Sequence, residues 1–207
     1  MFSDRRQAGA ALARALSTYA SDAPIVLALP RGGLPVAREI ARELKAPLDV
    51  LIVRKLGAPE NPEFAFGAVG EGGVVVLDHG TIAGLGISDV MRDRLITEAT
   101  SEVERRMDLY RQGRALTDVA GRAVIIVDDG LATGATAEAA VRVVRALGAD
   151  RVILAVPTGS HQAVKRLTAI CDEVVCLETP DWFGSVGGQY GDFPQITDAE
   201  VAAILHA

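Results

Sequence analysis

Aromatic residues make up only 4% of this 207-residue chain, against 49% hydrophobic residues in all, so its core must be built from Val, Ile, Leu and Ala. Cysteine is nearly missing. Cys171 and Cys176 fit neither a Cys-x-x-Cys nor a zinc-ligand spacing, which excludes a disulfide framework and suggests two small buried hydrophobes in a reducing compartment. The three histidines, His79, His161 and His206, are too scattered to pair as metal ligands. Basic charge is not in excess. The formal net charge is −6, so bulk electrostatics do not favour a nucleic-acid partner. No apolar run approaches about eighteen residues, so no membrane span is expected. The start, Ser3-Asp4-Arg5-Arg6 followed by Ala and Leu, lacks a leader pattern, and the cytoplasm is the expected location. Gly-Lys-Ser/Thr is absent, which excludes a Walker loop, and no Gly-x-Gly-x-x-Gly opens a helix after a strand.

What the chain does have is an alternation of apolar runs and helical periodicity. Its length favours a single domain over residues 1–207. Ala8, Leu12, Ala15, Leu16 and Tyr19 share one helix face. Ile25–Leu29 reads as a buried strand, Pro30–Gly33 as a sharp turn, and Val36, Ile40 and Leu44 as the inner face of the next helix, with Pro35 in its first turn. Leu48–Val53 reads as a further strand, followed by a Gly/Pro/Asn-rich loop through Pro62. Gly70-Glu71-Gly72-Gly73 between two apolar runs is a hairpin signal. Ser88 to about Gln112 reads as a long helix whose charges, Arg106 and Arg111 among them, form a mostly solvated face. Strands at 151–156 and 173–177 enclose another helix, and Thr197-Asp198-Ala199-Glu200 is a capping box for a last one. This order predicts an α/β fold: a mostly parallel sheet flanked by helices, with an antiparallel hairpin and a small irregular C-terminal segment at about 178–196. Ligands of such sheets bind at the carboxyl ends of the strands.

The most specific stretch lies at one such end. Val124-Ile125-Ile126-Val127 is a buried strand, Asp128-Asp129 are two adjacent acids, and Gly130-Leu131-Ala132-Thr133-Gly134-Ala135-Thr136 is a small-residue turn that opens a helix. Small side chains let backbone N–H groups wrap an anion, Thr133 and Thr136 add hydroxyls, and the helix aims its N-terminal dipole at the same point. A phosphate beside a pair of vicinal hydroxyls, as in a ribose 5-phosphate group, suits this arrangement. An ordinary crossover turn with Asp129 as a helix cap is the competing reading.

In order and content the thirteen residues from Val124 to Thr136 resemble the phosphoribosylpyrophosphate (PRPP) loop of type I phosphoribosyltransferases. The resemblance implies that Leu131–Thr136 bind the 5-phosphate, that Asp128 and Asp129 hold the ribose hydroxyls and help with cationic charge, and that Mg²⁺ is held mainly through PRPP, with Asp128 and Asp129 as candidate ligands. Pro30-Arg31-Gly32-Gly33 looks like the same family's pyrophosphate loop, where a strained or cis non-proline bond presents amides to the diphosphate. Arg31, Gly32, Gly33 and Lys55 are carried over to that role. The family closes a mobile segment over its reaction, for which residues 55–62, the glycine hairpin and the long charged helix are alternatives. Residues 179–195 hold four Gly, two Pro and four aromatics. They resemble the hood of purine members, with Trp182 and Phe183 as candidates to stack on an acceptor; an aromatic cluster packing into the core is the equal alternative.

Ala132 departs from the 6-oxopurine members, which place a proton-accepting Asp in that slot. The expected activity is transfer of a 5-phosphoribosyl group from PRPP, with Mg²⁺, to an unidentified small-molecule acceptor, with release of pyrophosphate. Neither nucleic acid nor membrane is an expected partner, and a homo-oligomer stays open. A PRPP-binding regulator without chemistry and another phosphosugar enzyme on the same fold are the rivals.

Overall fold

A computed structural model describes residues 1–59 and 61–205. Helix α1 (Arg5–Ala15) starts at Asp4, whose side chain accepts from the Gln7 N–H at 2.7 Å. Strand β1 (Ile25–Ala28), helix α2 (Gly33–Leu44) and strand β2 (Leu48–Val50) follow. Strands β3 (Val53–Ala58), β4 (Asn61–Gly70) and β5 (Val75–Leu77) precede a short helix α3 (His79–Gly84) and the long α4 (Asp89–Arg111). The second half alternates β6 (Ala123–Val127), α5 (Ala135–Ala146), β7 (Arg151–Thr158), α6 (His161–Thr168) and β8 (Glu173–Glu178), and ends in α7 (Asp198–Leu205).

Among the described residues two sheets form. The larger is parallel, in the order β2-β1-β6-β7-β8; the smaller is an antiparallel meander, β3-β4-β5. The parallel sheet is covered on both faces, which is why its strands read as unbroken apolar runs. Val26, Ala28, Ile125, Val127, Ile153 and Ala155 pack with Leu12 of α1, Leu16 at its C-cap, and Val36 and Ile40 of α2. The alternate residues, Ile25, Leu27, Val124, Ile126, Val152 and Leu154, pack with Ala140, Val141, Val144 and Leu167 of α5 and α6. Strand period two thus divides one run of Val and Ile between two cores. The capping box closes as expected: the Glu200 N–H donates to Thr197 Oγ1 at 3.2 Å, and the Thr197 N–H donates to Glu200 Oε2 at 2.8 Å.

Three expectations are corrected. Residues 48–53 are not one strand. The Leu51 N–H makes the last bond into the parallel sheet, to the Ala28 carbonyl at 2.9 Å; the Ile52 N–H turns to Glu71 Oε1 at 2.7 Å, and the chain leaves for the second sheet. The segment expected as a loop through Pro62 is mostly strand, because Arg54, Lys55 and Leu56 pair with Val69, Ala68 and Gly67; Glu60, within that expectation, lies outside the described residues, as does His206. Arg111 does not belong to the solvated face of α4. It is 1% exposed and donates to Asp49 Oδ1 at 2.9 Å and to Glu71 Oε1 at 2.8 Å, with further bonds to Glu71 Oε2 and the Val50 carbonyl. Thr117 gives Asp49 Oδ2 two more donors, at 3.0 and 3.1 Å.

This buried network ties α4 to the junction where the chain changes sheets. Removing one partner of a buried ion pair strands the others, typically at about 3–5 kcal/mol. Arg111→Met is therefore expected to lower the unfolding free energy by an amount in that range, read as a lower urea midpoint at an unchanged slope; a midpoint like the parent's would show that Asp49 and Glu71 do not depend on Arg111.

Candidate functional site

The carboxyl ends of β1 and β6 lie side by side, and the loops that leave them interlock. The Leu29 N–H donates to the Val127 carbonyl at 2.8 Å, and the Pro30–Arg31 peptide bond is cis. A methyl group at Gly32 would stand 1.9 Å from Asp129 Oδ2, and one at Gly33 would stand 2.5 Å from the Val127 carbonyl. Both glycines are there for close approach: they let the 30–33 loop lie directly on the acid pair.

Asp129 is held by two side chains, Arg5 and Tyr190. Arg5, from the first turn of α1, donates its Nε–H to Asp129 Oδ2 at 2.9 Å, and the two side chains are only 8% and 14% exposed. Its Nη1 donates to the Pro194 carbonyl at 2.8 Å, and its guanidinium lies 3.6 Å from the centre of the Phe193 ring. The Tyr190 hydroxyl donates to the Asp129 carbonyl at 2.5 Å, with its ring against Phe193 and Phe2. Burial and the charge of Asp129 push the Asp128 carboxyl well above the usual carboxylate range. Burial also raises Asp129, against the hydrogen bond and charge of Arg5, which pull it back.

The turn that follows is fixed from its outer side. The carbonyl of Leu131 accepts from the Ser160 N–H at 2.9 Å, that of Ala132 from Ser160 Oγ at 2.8 Å, and that of Thr133 from Arg166. In a trans peptide the N–H points opposite to the C=O. Three carbonyls bound toward α6 therefore turn the N–H groups of Ala132, Thr133 and Gly134 the other way, a concavity suited to an anion. Gly134 takes φ 73°, and α5 begins at the next residue. Ala132, Thr133 and Thr136 are exposed, whereas Gly130, Leu131, Gly134 and Ala135 are buried.

Two clefts flank the 30–33 loop. One, of about 540 Å³, is lined by Pro30, Arg54, Lys55, Leu95, Arg106 and Thr136 among others. The other, of about 440 Å³, is lined by Arg5, Arg31, Gly32, Asp129, Val186, Phe193 and the 194–196 backbone region. The sequence-derived candidates are thus divided: Lys55 and Thr136 face the first cleft, and Arg31, Gly32 and Asp129 the second. The hood is the second cleft's wall, but its aromatic there is Phe193. Trp182 is 85% exposed, and Phe183, half-buried, is not among the described residues lining either cleft. Phe2, Tyr190 and Phe193 instead form a packed cluster.

Sequence reasoning passed over Arg5, Arg106, Ser160 and Arg166. Arg5 and Asp129 are 124 residues apart and carry no shared local signal. The sequence starts a helix at Ser160, and Ser160 does cap α6, accepting from the Ala163 N–H at 3.2 Å, but no local signal shows its bonds to the 131–134 turn. Two carboxylates at a phosphate-sized turn fit Mg²⁺ bound mainly through a ligand's phosphates, since Mg²⁺ needs only one or two protein oxygens. Among the described residues no group of three or more His, Cys, Asp or Glu converges to cage a metal by protein alone.

A strand-end acid pair, a turn whose carbonyls are tied back toward α6 and a glycine loop laid across the acids come together at the carboxyl end of an α/β sheet. Residues 4–192 match the family model described as phosphoribosyl transferase domain, and the chain belongs to that family. Two relatives from Mycobacterium tuberculosis, strains CDC 1551 / Oshkosh and ATCC 25618 / H37Rv, each named "Putative phosphoribosyl transferase", are 50% identical over 205 residues. The match covers 99% of this chain and 46% of theirs, so the chain spans about half the length of the curated relatives it matches. The crystal structure of TT1426 from Thermus thermophilus superposes with a TM-score of 0.92 at 48% identity, covering 99% of this chain and 97% of that one. No described helix is long and apolar enough to cross a membrane.

The two acids differ in what their loss exposes. With a folded-state pKa above the unfolded value near 3.9, Asp128 contributes stability that is fully present below the unfolded pKa and is lost as pH rises through the folded one. Asp128→Asn should therefore be more stable than the parent at pH 8, by about 0.5–2 kcal/mol, with the gain shrinking on acidification. Asp129→Asn should be less stable, by about 1–3 kcal/mol, because Arg5 stays buried without its counter-charge. Urea melts of both variants at pH 5 and 8 check this; equal shifts of one sign would contradict the division.

Proposed function

We propose that this chain transfers a 5-phosphoribosyl group from PRPP to a small-molecule acceptor and releases pyrophosphate, with residues 1–207 acting as one domain under a hood at about 178–196. The observation that carries this reading is the turn at 131–134, whose carbonyls are bound to Ser160 and Arg166 so that the amides of 132–134 point the opposite way. In this reading Leu131–Thr136 bind the 5-phosphate, with Thr133 and Thr136 adding hydroxyl donors. Asp128 and Asp129 accept from the ribose hydroxyls and stabilise the positive charge that develops at the anomeric carbon as pyrophosphate leaves. Arg31, Gly32, Gly33 and Lys55 meet the diphosphate, and the first cleft, walled by Arg54, Lys55 and Arg106, has the charge to receive it. Asp128 is the better placed of the two acids to ligate Mg²⁺, because Asp129 already gives Oδ2 to Arg5; bound with PRPP, the metal would neutralise the diphosphate. The chemistry left to the protein is positioning and charge stabilisation.

The acceptor would enter the second cleft, between Asp129 and the hood. Phe193 is covered by Arg5 and Tyr190, so that cleft favours an acceptor held by its edges over one stacked on Phe193. Trp182 and Phe183 could stack on an acceptor only after the hood rearranges.

Ala132 offers no proton acceptor, and a missing general base costs about 10²–10⁴ in rate. Pyrophosphate release from PRPP and Mg²⁺ should therefore be slow with hypoxanthine and guanine. The test compares those bases with adenine, orotate, uracil and simple amines under one set of conditions. PRPP-dependent release with one acceptor class is expected. Efficient turnover of hypoxanthine or guanine would overturn the argument from Ala132, and no release with any acceptor would count against the transferase reading.

A further inference from the structure

Arg5 lies outside the family's loop motifs, yet it is the side chain most committed to the site. It is 7% exposed and touches three separate parts of it: the Asp129 carboxylate, the Pro194 carbonyl and the face of Phe193. Its backbone surroundings make the same link. The Phe2 N–H donates to the Gln189 carbonyl at 3.0 Å, the Gly191 N–H to the Phe2 carbonyl at 2.8 Å, and the Asp192 N–H to the Ser3 carbonyl at 2.8 Å. Residues 2–5 thus underlie the hood and join it to the acid pair.

We propose that Arg5 is a positioning residue for the transfer reaction: it orients the Asp129 carboxylate so that Oδ1 meets a ribose hydroxyl, and it latches the hood over the second cleft. The inference rests on the phosphoribosyl-transfer reading. Arg5 bonds Oδ2 alone, the oxygen also pressed against Gly32. A planar guanidinium presents donors to a carboxylate and a carbonyl in a fixed fork and lays its flat face on a ring, a geometry a compact ammonium does not fix. The other groups that face Asp129 do not substitute for it. Asp128 brings no positive charge, and the Tyr190 hydroxyl binds the backbone carbonyl only. Arg31 lines the same cleft but lies 3.9 Å from Asp198 of α7. Arg5 is thus the cation paired with the buried Asp129 carboxylate. Without it the carboxylate loses the donor that holds Oδ2 and with it the fixed orientation of Oδ1.

The test uses Arg5→Met, with Arg5→Gln as a second neutral variant should the first not fold, and Arg5→Lys to restore charge without the fork. PRPP and pyrophosphate are titrated separately, each with Mg²⁺, into the free protein. PRPP affinity is expected to fall about 10- to 100-fold in the neutral variants, as for other loss of supporting partners, and to recover in part in Arg5→Lys, while pyrophosphate affinity stays like the parent's. A parent-like PRPP affinity in a folded neutral variant overturns the proposal, and so does an equal loss for PRPP and pyrophosphate, the mark of a merely structural role. If the parent itself binds no PRPP, it is the phosphoribosyl-transfer reading that fails, and the ribose role of Arg5 falls with it.

Discussion

The Asp129 carboxylate, wedged between the bare α-carbon of Gly32 and the guanidinium of Arg5, is the contact on which the rest of the site depends. It fixes the distance between the β1 and β6 loops, because nothing larger than glycine fits at position 32. Through Arg5 it also fixes α1 and the hood. An acid at a strand end would ordinarily be solvated. Here burial disfavours its charge, and a single cation from 124 residues away offsets that. The neighbouring Asp128 has no such ion-pair partner among the described residues, and the same burial leaves it biased toward protonation. Two adjacent acids of identical chemistry are thus set apart by their surroundings alone.

The scaffold makes this possible by being rigid where it carries the loops. The central strands β1, β6 and β7 are apolar on both faces, and the helices on each side leave them no slack. The loops inherit that stiffness. The 131–134 turn is pinned to Ser160 and Arg166 of the α6 region, so its amides are oriented before any anion arrives. Dipoles fixed in advance stabilise charge most effectively, since no reorganisation is needed when that charge develops. On the far side, Arg111 anchors α4 to β2 and the 71–73 turn, and α4 in turn brings Leu95 and Arg106 to the wall of the first cleft.

Much of this was legible in the sequence, for local reasons. The run from Val124 to Thr136 carries its strand, its acids and its turn within thirteen residues, and each part is a short-range signal. The capping box at Thr197 and the glycine hairpin at 70–73 were readable on the same grounds. What escaped was long-range. Arg5 and Arg111 read as ordinary charges on helices, because nothing in their neighbours announces a carboxylate 124 or 62 residues away. The break after Val50 escaped because Leu51 and Ile52 continue the apolar run, while the change of sheet is set by Glu71 capturing the Ile52 N–H. In the hood, composition marked the segment but not which aromatic turns inward: Trp182 and Phe193 differ by burial, which spacing alone does not encode.

In the proposed function the amide turn and the acid pair together recognise a phosphorylated ribose carrying a diphosphate. The most direct test is a calorimetric titration of PRPP with Mg²⁺ into the free protein, with ribose 5-phosphate and pyrophosphate titrated separately. One saturable PRPP site per chain is expected, with weaker but measurable binding of each half and loss of PRPP binding in Asp128→Asn. No heat of binding from PRPP at millimolar concentration, or binding of pyrophosphate alone with PRPP no tighter, would contradict it.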